Sequence, residues 1–147
     1  LGYRGPYTPQ VVYSGYLHGP GTSIARSEPN FAKRDITPYP AGVAFEGDTV
    51  SISGALPAKV TKASVIVVRF RPGQTKVTPA GGTNKGKAMT YWNLVTGFET
   101  LGEWKGGTQK FAAKCDRGCV VLVQKEGAEG AIIGVLTNGM WMVVNVM

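Results

Sequence analysis

The sequence predicts a mainly β protein, an antiparallel β-sandwich-like domain with one packed α-helix at about residues 90–101 and an irregular N-terminal arm. Composition is the first observation, because 21 glycines and 9 prolines in 147 residues are typical of many turns and short strands. The second is a series of short apolar or alternating runs after Pro40, the pattern of antiparallel strands. The third is one stretch with helical periodicity. We therefore divide the chain into the arm, residues 1–40, and an antiparallel β domain with one helix, residues 41–147.

The arm is rich in proline and glycine, and only Gln10–Leu17 has the β-branched and aromatic content of a strand. The segment Gly19–Pro40 is too long and too polar for an ordinary connection within a compact domain. Segments of this kind are either disordered or become ordered against a partner.

The β domain opens with a predicted hairpin, in which Gly42–Phe45 and Thr49–Ser53 flank the turn Glu46-Gly47-Asp48. Ala63–Phe70 is a nearly continuous apolar run, which predicts a central strand covered on both faces. Arg71–Gln74 has the composition of a turn that would end this strand.

After that turn, Thr75–Thr78 is predicted to return as an edge strand. Asn138-Gly139 is the strongest two-residue hairpin signal in the sequence and predicts that Ala131–Thr137 pairs with Met140–Val146. Further strands are predicted at Thr108–Ala112, Cys119–Lys125 and Ala131–Leu136.

Thr90–Leu101 is the predicted helix, because its large apolar side chains recur at helical spacing. Thr90 is suited to the N-cap, and Gly102 lies where a glycine commonly ends a helix. Gly97 weakens the helix by about 1 kcal/mol relative to alanine. The face expected to pack on the sheet consists of Tyr91, Leu94, Val95, Phe98 and Leu101.

Cys115 and Cys119 enclose the turn-forming residues Asp-Arg-Gly, so their sulfur atoms can approach across a short loop. This C-x3-C spacing differs from the redox C-x-x-C motif and favours a structural disulfide over two free thiols or a redox-active pair. A zinc site needs further ligands, and His18 is the single histidine, so we expect no metal.

The loop Gly81–Lys87 combines glycines, two lysines and the start of the predicted helix, a combination that can contact an anion. It lacks the hydroxyl residue of a nucleotide-binding P-loop, because Ala88 follows Lys87. We therefore expect an anion-binding or contact loop, or a flexible lid, with no bound cofactor. Its candidate residues are Gly82, Asn84, Lys85 and Lys87.

The net charge of +7 fits a solvated surface, an acidic partner protein or an anionic membrane surface. Nucleic acid is not expected, since the basic residues are scattered and no RNA-binding signature accompanies them. No apolar run reaches the roughly 18 residues of a membrane span. Because His18 has no nucleophile beside it and the carboxylates are dispersed, we predict no catalytic site.

Four short motifs follow one another along the chain. They are Tyr7-Thr8-Pro9-Gln10, Asn84-Lys85-Gly86-Lys87 with Thr90-Tyr91-x-Asn93-Leu94-Val95, Leu101-Gly102-x-Trp104-x-Gly106, and Val121-Leu122-Val123-Gln124 followed by Gly134. In this order they resemble a secreted, thioredoxin-related family known as domain of unknown function 1223. The resemblance covers Arg4–Gly15 and Val65–Gly134 and implies that this chain corresponds to the family's C-terminal half, without the half that carries Cys-x-x-Cys. It also places Pro9 where thioredoxin-like folds keep a cis-proline.

Together these observations predict a non-catalytic, periplasmic accessory subunit that docks on and stabilises a larger enzyme. We expect it to be exported, with a leader removed before Leu1, the alternative being that the chain is a fragment. Its size and class would fit the small subunit of a membrane-bound quinohaemoprotein alcohol dehydrogenase. The alternatives are a thiol-disulfide protein and a free-standing ligand-binding module. The residues expected to contact the larger enzyme are Tyr39, Met140, Trp141 and Met142.

Overall fold

The structure is a computed structural model of the chain and describes residues 10–13, 15, 17–20, 39–115, 118–126 and 130–137. Within these ranges the chain forms nine strands and no helix. In chain order they are β1 (Gln10–Tyr13), β2 (Leu17–Pro20), β3 (Ala41–Glu46), β4 (Thr49–Gly54), β5 (Ala63–Val77), β6 (Met89–Trp104), β7 (Gln109–Ala112), β8 (Gly118–Lys125) and β9 (Ile132–Thr137).

The strands assemble into three antiparallel sheets. β1 and β2 form a two-stranded sheet, and β3-β4-β7 form a three-stranded sheet in that order. The four-stranded sheet has the order β6-β5-β8-β9, so β5 lies at its centre and β6 along one edge. The predicted mainly β, antiparallel character of the chain is therefore confirmed.

The two larger sheets share one apolar core. Val50 and Ile52 from β4 meet Val65 and Val67 from β5, and all four side chains are fully buried. Alternation along β5 explains this, because successive side chains point to opposite faces of a strand. The core is completed by Ala41, Ala63, Trp104, Ala113, Cys119, Val121, Val123 and Ile133.

The predicted helix at residues 90–101 is wrong, because these residues belong to β6. Three irregularities in the β5–β6 register, near Val65, Arg69 and Arg71, each shift the inside–outside alternation. On a regular strand, side chains of one face are two residues apart. Each bulge adds a residue to this pattern, so apolar residues of β6 become separated by three or four positions. The apolar residues of β6 therefore imitate the periodicity of a helix.

The predicted turn at Arg71–Gln74 is also wrong. β5 runs on to Val77, and Pro72 and Gly73 form a bulge within it rather than reversing the chain. Thr75–Val77 consequently continues outward beside β6 instead of returning as an edge. At the N-terminus, β1 and β2 pair as a hairpin with Gly15 in the turn, so the single strand predicted at Gln10–Leu17 is wrong: that range holds β1 and only the first residue of β2.

Several other predictions are confirmed. β3 and β4 form the hairpin around Gly47, and β7, β8 and β9 lie within two residues of their predicted bounds. Ala63–Phe70 is central, although full burial is confined to the face that carries Val65 and Val67. The segment 21–38, Pro9 and the hairpin through Asn138-Gly139 lie outside the described residues.

Candidate interaction surface

β5 and β6 continue beyond the sheet as a two-stranded ribbon. The last β5–β8 pair is Phe70 with Gly118, whereas β5–β6 pairing continues to Val77 with Met89. Seven residues of β5 past Phe70 span about 20 Å of strand. We call residues 71–94 the distal ribbon.

The bulge at the base of the distal ribbon is held by a side-chain contact. The Gly73 N–H donates to Asn93 Oδ1 at 3.1 Å. Both residues have positive φ, 76° for Gly73 and 50° for Asn93, the region that glycine and asparagine occupy most readily. The sequence therefore supplies suitable residues where β5 and β6 leave the sheet.

The tip of the distal ribbon is an exposed loop closed by backbone hydrogen bonds. The N–H groups of Lys85, Gly86 and Lys87 donate to Gly82, Pro79 and Asn84 carbonyl oxygens at 3.1, 3.0 and 3.1 Å. These amides are thus engaged within the loop, and a strand rather than a helix follows it. Any anion contact at the tip would come from the lysine ammonium groups, and the predicted binding role of this loop stays a prediction.

Large apolar side chains are exposed along β6. Phe98 is 78% exposed, Trp92 67% and Val95 57%, while Tyr91 is also exposed. The sequence placed Phe98 and Val95 on the buried face of a helix, so this surface was missed. One sequence feature could have indicated a strand here: β-branched and aromatic residues are frequent between Thr90 and Trp104.

Phe98 belongs to a wider apolar surface on the four-stranded sheet. It pairs with Val68, which pairs with Val120, and directly opposed residues lie on the same face. This face is opposite to the one carrying Val65 and Val67, because neighbouring strand residues alternate. We call it the outer apolar face, and it consists of Ile66, Val68, Phe98, Val120, Leu122 and Val135.

The predicted disulfide is present between Cys115 and Cys119, whose Cα atoms are 5.9 Å apart. Cys119 is fully buried and Cys115 half-buried. A cavity of about 330 Å³ adjoins them, and Arg69 in its wall donates to Glu99 Oε2 at 2.9 Å. Its lining also includes Phe70, Arg71, Thr96, Lys114 and Gly118.

A small network of ion pairs lies at one end of the four-stranded sheet and joins β6 to residues that flank β5 and β8. Lys62, just before β5, pairs with Glu103 of β6 and lies 3.2 Å from Glu126, just after β8. The hydrogen bond from Lys62 lowers the pKa of Glu103 from its ordinary value. Hydrogen bonds to Glu103 and Glu126 raise the pKa of Lys62.

The other predicted site residues are placed as follows. Tyr39 is exposed just before β3, whereas Met140, Trp141 and Met142 lie outside the described residues. His18 is in β2. The described part of the chain has no group of three His, Cys, Asp or Glu side chains able to hold a metal. Nor do its secondary-structure elements include a helix that could cross a membrane.

The chain belongs to the family described as protein of unknown function (DUF1223), whose family model matches residues 1–127. It is also similar to a crystal structure of a protein from Agrobacterium tumefaciens, with 28% sequence identity and a TM-score of 0.64. That similarity covers 93% of this chain and 64% of the other, so the chain spans less than two thirds of its relative's length. No curated protein matches it.

Proposed function

We propose that this chain is a non-catalytic binding module that docks on a second protein through the outer apolar face. The observation that carries the proposal is the exposure of Phe98, 78%, at the end of a cross-strand row with Val68 and Val120. A single exposed apolar side chain needs no explanation, but a contiguous apolar surface on a sheet is typical of an interface. Burying this surface against a partner would stabilise the complex by about 25 cal/mol for each Å² of apolar area removed from water.

The side chains of the outer apolar face suit a protein partner. Phe98 is an aromatic side chain of the kind that dominates interface energetics, and Val68 and Val120 flank it at fixed cross-strand spacing. Glu103 opposes Ser64 on this same face and forms an ion pair with Lys62 at the end of the sheet. An apolar centre with charged residues beside it is the usual arrangement of a protein interface.

A non-catalytic role is supported by the placement of the polar groups. The ion pairs of Lys62, Arg69 and Lys110 lie on the surface between partly exposed side chains. Among the described residues, no buried side-chain nitrogen or oxygen lacks a hydrogen-bond partner. A catalytic site usually departs from this pattern, with strongly perturbed groups converging in a cleft.

Our proposal places the protein in the periplasm as an accessory subunit of a larger enzyme. The disulfide supports an oxidising compartment. We take the chain to correspond to the C-terminal half of longer family members, and its sequence has no Cys-x-x-Cys. The small subunit of a membrane-bound quinohaemoprotein alcohol dehydrogenase remains our candidate, supported by size and class.

The test compares two exposed positions on the full chain in its native host. Phe98→Ser removes the centre of the outer apolar face, and Lys105→Ser is the matched control on the turn after β6. We expect one stoichiometric partner to co-purify with the wild type and the control and to be lost with Phe98→Ser, at unchanged circular dichroism. Retention of that partner by Phe98→Ser, or a chain that is always recovered alone, would contradict the proposal.

The second candidate function is a thiol-disulfide protein, favoured by the position of Cys115 and Cys119 beside a cavity lined by cations. In such a protein, the two reduced cysteines would transfer two electrons to a substrate disulfide and become oxidised themselves. Insulin reduction with dithiothreitol as the electron source separates the candidates. The leading proposal expects the same rate with the wild type and with Cys115→Ala/Cys119→Ala, and acceleration by the wild type alone would favour this second one.

A further inference from the structure

We infer that the distal ribbon, residues 71–94, is an arm that binds the anionic phospholipid surface of a membrane. It carries four cations and no carboxylate in a segment that stands clear of the sheet. It also exposes a tryptophan on the same two strands. This site is separate from the outer apolar face and does not depend on the proposed function. The four cations are Arg71, Lys76, Lys85 and Lys87.

The lysines at the tip of the distal ribbon differ from several cations of the two larger sheets. Lys62, Arg69 and Lys110 all pair with carboxylates that other strands bring close to them. Across the described parts of the chain, by contrast, Lys85 and Lys87 form no ion pair, and their loop is exposed throughout. Such charges remain available to an external anion. A membrane surface rich in anionic lipid attracts basic groups of this kind, each increasing partitioning about fivefold.

The apolar side chains of the distal ribbon indicate which anionic partner is favoured. Trp92, on β6, is 67% exposed, and its cross-strand partner Gln74 lies on the same face as Lys76. Tryptophan is one of the side chains that concentrate at the boundary between lipid headgroups and acyl chains. A purely electrostatic partner would satisfy the lysines but would leave the indole in water.

The register indicates how the distal ribbon would lie. Trp92 pairs with Gln74, and the strands continue for three more pairs to Val77 with Met89 before the tip loop. Trp92 is therefore about 10 Å along the strand from the end of the pairing. The tip loop contains no large apolar side chain that would insert deeply. An arm lying along the surface brings both the lysines of the tip and Trp92 into contact with headgroups.

Vesicle co-sedimentation of the full chain tests this inference. The lipid is phosphatidylcholine with and without phosphatidylglycerol, at low and high salt. We expect binding only to the anionic vesicles, weakened by salt because the attraction is screened. Lys85→Gln/Lys87→Gln should weaken binding about 25-fold, and Trp92→Ser should also weaken it. The matched control Lys59→Gln/Lys105→Gln removes the same charge outside the distal ribbon and should change binding less than twofold.

Three outcomes would overturn the inference. The first is no binding to anionic vesicles, and the second is equal loss in the ribbon and control variants. The third is salt-sensitive binding to duplex DNA or to an acidic polypeptide that exceeds binding to vesicles. Phe98→Ser separates this inference from the proposed function, because it should lose the partner protein while keeping vesicle binding.

Discussion

Trp104 is a single residue whose side chain links the two larger sheets. It is the last residue of β6, it is fully buried in the shared core, and its indole N–H donates to the Gly107 carbonyl oxygen at 3.0 Å. Burial of the ring therefore comes with a satisfied polar atom, which is the arrangement that makes a core tryptophan favourable. The hydrogen bond also sets the path of the turn that leads from β6 to β7.

Trp104→Phe should destabilise the fold by about 2 kcal/mol, because it removes buried volume and leaves the Gly107 carbonyl without its donor. Urea unfolding followed by circular dichroism measures the change. The same substitution at exposed Trp92 is the control and should have almost no effect. Equal losses in the two variants would show that the indole of Trp104 contributes nothing specific.

Gly134 marks a close approach between the sheets. A Cβ there would lie 2.9 Å from the Ala41 Cβ and 3.0 Å from the Ala41 carbonyl oxygen, a backbone atom that cannot move aside easily. Gly134→Ala should therefore destabilise the protein by about 1–3 kcal/mol.

Gly97 is the matched control for Gly134, because it is also a strand residue and a Cβ there meets nothing within 4 Å. Gly97→Ala should be neutral or should stabilise by about 0.5 kcal/mol, since alanine lowers the entropy of the unfolded chain. Thermal unfolding of both variants checks the pair. A Gly134→Ala protein as stable as Gly97→Ala would show that β3 and β9 can separate without cost.

At the level of elements, most strands could be predicted, and the exception is informative. β3, β4, β7, β8 and β9 carry apolar runs or simple alternation with turn residues between them, so local pattern was sufficient. The prediction for β6 failed because residues inserted at its bulges change which face the following side chains point to. Where a bulge occurs depends on the partner strand β5, and single-sequence periodicity does not contain that information.

The same failure explains why the exposed apolar surface was not predicted. The contact role of the Gly/Lys loop was predicted from its composition and stays a prediction, whereas Phe98 was predicted to be buried. Phe98 was assigned to a buried helical face, and its exposure depends on β6 being an edge strand with an uncovered side. Strand order is a long-range property, so no local motif could have supplied it.

The Lys62 network joins elements, and its effect should depend on pH. The pKa of Glu103 is lowered in the folded state, so the pair contributes stability above the ordinary glutamate pKa of about 4.5. That contribution is lost as pH falls through the lowered value. The pKa of Lys62 is raised, so its contribution is complete below about 10.5 and disappears only at higher pH.

Glu103→Gln should therefore lower the Tm slightly near neutral pH and make no difference in acid well below the ordinary glutamate pKa. The effect is small because the side chains are partly exposed, and high salt should reduce it further. Thermal scans of wild type and variant across the acidic range measure it. A difference in Tm that persists in acid would mean that the glutamate acts through packing rather than charge.

For the whole molecule, the shared core predicts that the two larger sheets unfold together. Ile52 of the three-stranded sheet and Val121 of the four-stranded sheet are both fully buried in one cluster. Neither sheet has an apolar face that remains covered when the other is removed. Small domains built around one core unfold in a single cooperative transition.

Val121→Ala tests this cooperativity, because it removes about 2 kcal/mol of packing from β8 alone. We expect native-state hydrogen exchange to show an equal loss of protection at the core amides of β8 and of β4, although β4 is in the other sheet. Ile52→Ala should produce the reciprocal result, at about 3 kcal/mol. Val95→Ala, at an exposed position of β6, is the control and should change neither set. Loss confined to β8 in the Val121 variant, or two separate unfolding transitions, would show that each sheet is stable by itself.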